Sequence, residues 1–167
     1  RTITRLAFVG GDRRFIGGDR RFQRLLAAIS LTVAFPALAE VTVSEAWVRG
    51  TVPAQKATGA YMKFKSGEDA RVVEGKSPVG KIEIHETSMK DGVMQMRALP
   101  ALELPKGQVV ELKPNGYHVM ITGLTKALAK GDTVPITFTV EGRDGKRSTV
   151  EVRAEVRPLG AAPAHQH

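Results

Sequence analysis

The stretch KIEIHETSMKDGVMQMRA, residues 81–98, decides the fold class. Its first half alternates apolar and polar residues, with Ile82 and Ile84 set against Glu83 and His85, which is the period of a strand and not of a helix. Asp91-Gly92 is a pair that favours a two-residue turn with both residues at positive φ, so the segment reads as a β-hairpin. A two-residue turn at Asp91-Gly92 pairs Lys90 with Val93, Met89 with Met94, Thr87 with Met96 and His85 with Ala98; a longer turn would change that register. Cross-strand partners share a face. His85, Met89, Met94 and Met96 therefore fall on one side, and Ile82, Ile84, Val93 and Gln95 on the other.

Working outward, the same β-rich texture continues on both sides. Candidate strands are 41–48, 59–65, 81–87, 93–99, 108–112, 117–122, 133–141 and 148–157. Between them stand the turn signals Gly67-Glu68-Asp69, Asp91-Gly92, Pro105-Lys106-Gly107, Pro114-Asn115-Gly116 and Arg143-Asp144-Gly145. Residues 126–130 leave room for one helical turn. Seven or eight short strands in a single domain predict an all-β sandwich or barrel.

The N-terminal part reads differently. Residues 1–39 carry seven Arg and two Asp, a net of +5 out of the chain's +8, which leaves +3 for residues 40–167. Arg20, Arg21 and Arg24 precede an apolar run from Leu25 to Ala34, followed by Phe35-Pro36 and the small-residue site Ala37-Leu38-Ala39. That is the three-part order of a cleavable secretory signal, with cleavage expected after Ala39. The run is shorter than the roughly 20 residues a permanent span requires, so no stable membrane insertion is expected after cleavage. GGDRRF occurs at Gly10 to Phe15 and again at Gly17 to Phe22, a period too short to be a folding unit. With most of the basic excess in an export segment, a nucleic-acid partner is not expected. The expected organisation is an extension and signal over 1–39, one domain over 40–157 and a flexible, His-containing tail over 158–167.

The chain has no cysteine, four histidines (85, 118, 165 and 167) and five methionines (62, 89, 94, 96 and 120). No disulfide framework, zinc-thiolate site or cysteine nucleophile is available. In Tyr117-His118-Val119-Met120-Ile121 the strand period sends Tyr117, Val119 and Ile121 to one face, the expected core, and His118 with Met120 to the other. His85 is diagonal to Met96 in the hairpin register, at about 7 to 8 Å between Cα atoms. Thioether sulfur is a soft, neutral ligand that suits Cu(I) and not Mg²⁺ or Ca²⁺, and imidazole accompanies it on copper. Zinc draws mainly on Cys, His or carboxylate, so a His/Met set argues against it. A lone Met in a β-domain is ordinarily core filler. Met62 is read so, and Met89 as a residue exposed beside the turn.

His85, ten residues, Met96, twenty-one residues, His118, one residue and Met120 reproduce the H-x10-M-x21-H-x-M signature. On that signature the chain resembles the periplasmic PCu(A)C copper chaperones. The resemblance extends to Ala46-Trp47-Val48-Arg49, Gly59-Ala60-Tyr61-Met62, Ile84-His85-Glu86, Asp91-Gly92-Val93-Met94, Leu112-Lys113-Pro114 and Met120-Ile121-Thr122-Gly123-Leu124, over about residues 41–156. Lys65-Ser66-Gly67 departs from it, where family members often have an Asn-containing turn.

The resemblance implies a cupredoxin-like β-sandwich of Greek-key type, a monomer. It implies Cu(I) held near one end by His85, Met96, His118 and Met120, with Met94 on the same face as an auxiliary candidate. His165 and His167 are auxiliary candidates for Cu(II) in the tail. It further implies a periplasmic protein that delivers copper toward the CuA site of cytochrome oxidase alongside a Sco-type thiol protein. Three readings compete with delivery: copper sequestration for resistance, a metal-free interaction domain of the export pathway, and a hydrolase built on His85 and Glu86. The last lacks a Ser or Asp placed to complete a triad, so no enzyme is expected.

Overall fold

A computed structural model describes residues 40–160. Residues 1–39, with the expected signal and the GGDRRF duplication, and His165 and His167 lie outside the described residues. Ten strands follow one another: β1 (Val41–Arg49), β2 (Ala57–Ser66), β3 (Ala70–Ser77), β4 (Gly80–Lys90), β5 (Val93–Ala98), β6 (Leu102–Leu104), β7 (Val109–Leu112), β8 (Tyr117–Thr122), β9 (Thr133–Gly142) and β10 (Arg147–Arg157). All eight candidate strands are present, and β3 and β6 are additional. Residues 126–130 hold no helix; Leu128 is instead buried as an anchor, its N–H donating to Thr51 Oγ1 at 2.9 Å.

The sheet runs β5-β4-β8-β2-β1-β10-β9-β3-β6, and a further pairing of β3 with β4 closes seven of these strands into a barrel. This is the all-β, cupredoxin-like architecture expected. One pair, β1 with β10, is parallel, so the first and last strands lie side by side. The core follows the period of two. On β9, Val134, Ile136, Phe138 and Val140 are all fully buried, and Ala60, Met62 and Phe64 meet them from β2. Phe64 and Phe138 pack edge to face at 5.3 Å between centroids, an arrangement favoured by the ring quadrupoles. Met62, in this layer, is the filler it was read to be.

Two local features set the direction of the chain. A bulge between Ser44 and Trp47 puts Glu45 at φ 52° and shifts the inward set from Val41 and Val43 to Ala46 and Val48, so that Trp47 is buried on the opposite face, against Tyr61. Asp91 at φ 53° and Gly92 at φ 77° make the two-residue turn with both residues at positive φ. The β4 to β5 register is therefore the one that the sequence implied, from Lys90 with Val93 to His85 with Ala98. Tyr117 corrects the expected core trio: Val119 and Ile121 are fully buried, but Tyr117 is 37% exposed. Pairing of β2 with β8 stops at Val119, and Tyr117 lies beyond it, opposite Glu86.

Candidate metal centre

The β4 to β8 pairing, which the sequence did not show, brings the two histidines together. It sets His85 directly opposite His118, with Glu83 opposite Met120 and Ile84 opposite Val119. The imidazole rings stand 5.8 Å apart, centre to centre, at 61°. Two metal–nitrogen bonds of about 2 Å each can close that span through one ion. Met120 sits two residues from His118 on the same face of β8, and Met96 faces Thr87 across the hairpin, one rung beyond His85.

Depth differs among the four. His118 is 4% exposed and Met120 half-buried, whereas Met96 is 54% exposed. A cavity of about 420 Å³ is lined by Met96, His118 and Met120 together with Arg49, Tyr61 and Asn115. His85 is not among its lining residues; it joins the set through His118. The His118 imidazole thus lies at the floor of the cavity and the Met96 thioether at its rim.

The nitrogen chemistry suits metal ligation. His118 Nδ1 lies 3.3 Å from the carbonyl oxygen of Gly116, so that it donates there and leaves Nε2 as the lone-pair atom. Burial pushes the His118 pKa below its ordinary value, the Gly116 hydrogen bond opposes this, and the neighbouring His85 lowers it further. The neutral imidazole that a metal requires is therefore the favoured form at neutral pH. Both ring nitrogens of His85 are buried without a hydrogen-bond partner. Glu83 Oε2 stands 3.7 Å from His85 Nε2, beyond hydrogen-bond range, and Glu83 is occupied by Lys81 at 2.8 Å, which holds its carboxyl below the usual range. An orphaned buried imidazole is costly unless another partner satisfies it. Among the described residues no three His, Asp or Glu side chains gather into a group that could hold a metal.

Sequence reasoning missed the residues that shape the cavity. Gly59 lies opposite Met120, and the Tyr61 hydroxyl occupies the space above it, 2.6 Å from where a Cβ would stand. Burial raises the Tyr61 pKa against the opposing pull of Arg49, so the phenol stays protonated. Tyr61 packs on Trp47 at 4.6 Å, and the Arg49 guanidinium lies 5.8 Å from the Tyr61 ring centre with its Nε buried and unpartnered. These contacts cross strands and leave no spacing in the sequence that reveals them.

Comparison with known proteins adds four findings. The profile of the LpqE-like family, described as "Putative lipoprotein LpqE-like", matches residues 41–156. "Putative lipoprotein Lxx21020" of Leifsonia xyli subsp. xyli is 30% identical over 139 residues, 77% of this chain and 82% of that protein. Among solved structures, the apo PmoF2 PCuAC domain matches with a TM-score of 0.60 at 21% identity, over 77% of this chain and 98% of that one. At that identity the likeness is one of fold. The solution structure of CuI-DR1885 from Deinococcus radiodurans matches with a TM-score of 0.51 at 28% identity, over 78% of this chain and 85% of that one.

Proposed function

The chain belongs to the LpqE-like family, and from that premise we propose that it is an exported copper carrier without catalytic activity. It binds one Cu(I) through His85, Met96, His118 and Met120 and hands it toward the CuA centre of cytochrome oxidase, with a Sco-type thiol protein as co-worker. The observation that carries this reading is the pairing of His85 with His118, rings 5.8 Å apart, with the nitrogens of His85 buried and unpartnered. Two neutral imidazoles and two neutral thioethers leave the ion as a monocation and match the softness of Cu(I). The likeness to CuI-DR1885 supports Cu(I) as the ion carried. The lipoprotein descriptions of the family and of the Leifsonia relative support a place outside the cytoplasm, as does the signal pattern of residues 1–39.

The gradient of exposure favours transfer over storage. Exchange starts at Met96, the most exposed of the four ligands, while the histidines still hold the ion. Sequestration uses the same ligands and is the second reading.

Met120→Leu, nearly isosteric but without sulfur, is expected to weaken Cu(I) binding in competition with a chelator while thermal stability changes little. Unchanged affinity overturns the site. Copper-loaded protein mixed with an apo-CuA domain is expected to pass on its ion, and retention would favour sequestration.

A further inference from the structure

The hairpin of β4 and β5 carries two methionines that the four-ligand centre does not use. Met89 and Met94 are direct cross-strand partners, one step from the turn closed by Lys90 and Val93. In a hairpin with a two-residue turn this rung is a non-hydrogen-bonded pair, the kind in which side chains lie closest, with Cβ atoms about 4.5 to 5.5 Å apart. They are 67% and 59% exposed. Met62, 1% exposed, shows what a methionine does in this barrel when it serves packing. Two large apolar side chains held in water on one rung serve no core.

The rung is also in line with the centre. The next rung on the same face is Thr87 with Met96, and the one after it His85 with Ala98, which leads to His118 across β8. Successive rungs are two residues apart, about 7 Å along the strand. Methionine has three rotatable bonds and bridges such a step readily.

We propose that Met89 and Met94 form a second, labile Cu(I) site at the tip of the hairpin, from which the ion passes by way of Met96 to the buried centre. Only the destination rests on the function proposed above; the two-thioether site stands on its own residues. Each sulfur donates a lone pair to the ion. In transfer, a bond from copper to Met96 sulfur forms as the bond to Met94 sulfur breaks, then a histidine nitrogen replaces Met89. Copper stays monovalent throughout, and no proton or electron moves. Two neutral ligands hold the ion more weakly than four, so the direction of transfer is inward.

The test uses Ag(I) as a redox-inert stand-in for Cu(I), with the methionine methyl groups followed by NMR, on the unmodified protein and on Met120→Leu. The Met89 and Met94 methyl signals are expected to move together and in fast exchange, beyond the first equivalent of Ag(I) in the unmodified protein and from the first additions in Met120→Leu. In stopped-flow uptake of Cu(I), the Met89→Leu/Met94→Leu variant is expected to load about tenfold more slowly, because the tip no longer raises the local copper concentration, with the final affinity of the buried centre unchanged. Both residues are exposed, so the variant folds as the parent does, which its melting temperature verifies. Tip signals that stay in place, or equal loading rates, overturn the proposal. Signals that move for Met89 and Met94 but never for Met96 and Met120 uphold the tip site and overturn the buried centre.

Discussion

At the scale of single residues, Gly59 is the position where the cavity is most sensitive. It stands opposite Met120, and a Cβ there would lie 2.6 Å from the Tyr61 hydroxyl and 3.0 Å from the ring carbon that bears it. The obstacle is the far end of a side chain, not backbone, so Gly59→Ala can be accommodated by swinging the phenol. That ring packs against Trp47 and lies beside the Arg49 guanidinium, and any movement changes the space above Met120. Overpacking of this kind costs about 1 to 3 kcal/mol. We expect Gly59→Ala to lower both the melting temperature and the Cu(I) affinity, and Tyr61→Phe in the same chain to restore part of each. A double-mutant cycle measures this directly, and strictly additive effects would show that the two residues do not meet.

Among the elements, β9 is joined to both its neighbours through one carboxylate. Glu141 is the direct cross-strand partner of Arg71 on β3 and of Arg147 on β10, with ion-pair distances of 2.5 and 3.0 Å. Hydrogen bonds from Arg71 first and Arg147 second hold its carboxyl below the usual carboxylate range. A carboxylate whose pKa is lower in the folded than in the unfolded state adds stability above the unfolded value, and that stability is lost as pH falls through the folded value. Glu141→Gln should therefore melt below the parent at pH 7, and the difference should shrink once the pH drops under about 4.5, the ordinary value for Glu. Salt should also narrow the gap at pH 7, because the arginines are largely exposed. A difference that persists at low pH would assign Glu141 a packing role instead. The strands joined here also show how far the sequence could be read. β9 and β10 were legible because inward positions hold Val, Ile, Phe and Ala in strict alternation. β3 was not: a bulge between Val72 and Glu74 breaks its period, and Gly75 stands where a Cβ would come within 2.4 Å of an Ile82 methyl. An inward residue that must be glycine gives no apolar signal. β6 has three residues, too few to show a period. For the same reason the four candidate ligands could be named from chemistry and hairpin register, while the β4 to β8 contact that brings the histidines together could not. Pairing between strands more than thirty residues apart depends on the whole barrel.

For the whole molecule, the parallel pairing of β1 with β10 joins the two ends of the fold, Trp47 lying opposite Glu155 and Arg49 opposite Arg157. The N–H of Gly50 donates to Arg157 O at 2.7 Å, and the Arg157 guanidinium lies 5.0 Å from the Trp47 ring centre. Thr51 and Leu128 fasten the loop before β9 to the same corner. Barrel closure, the core and both proposed copper sites are thus all supplied between Glu40 and Gly160. It follows that a chain of residues 40–160 should melt at the same temperature as residues 40–167 and bind Cu(I) with the same affinity. Cu(II) uptake is the quantity expected to fall on the cut, since His165 and His167 are removed with it and imidazole is a good ligand for either oxidation state. Calorimetric melting and a Cu(I) chelator competition on the two chains separate these effects. A loss of Cu(I) affinity in the shorter chain would mean that a tail histidine belongs to the Cu(I) centre. It would also change the proposed route of delivery, because release would then require the tail to let go before Met96 could exchange.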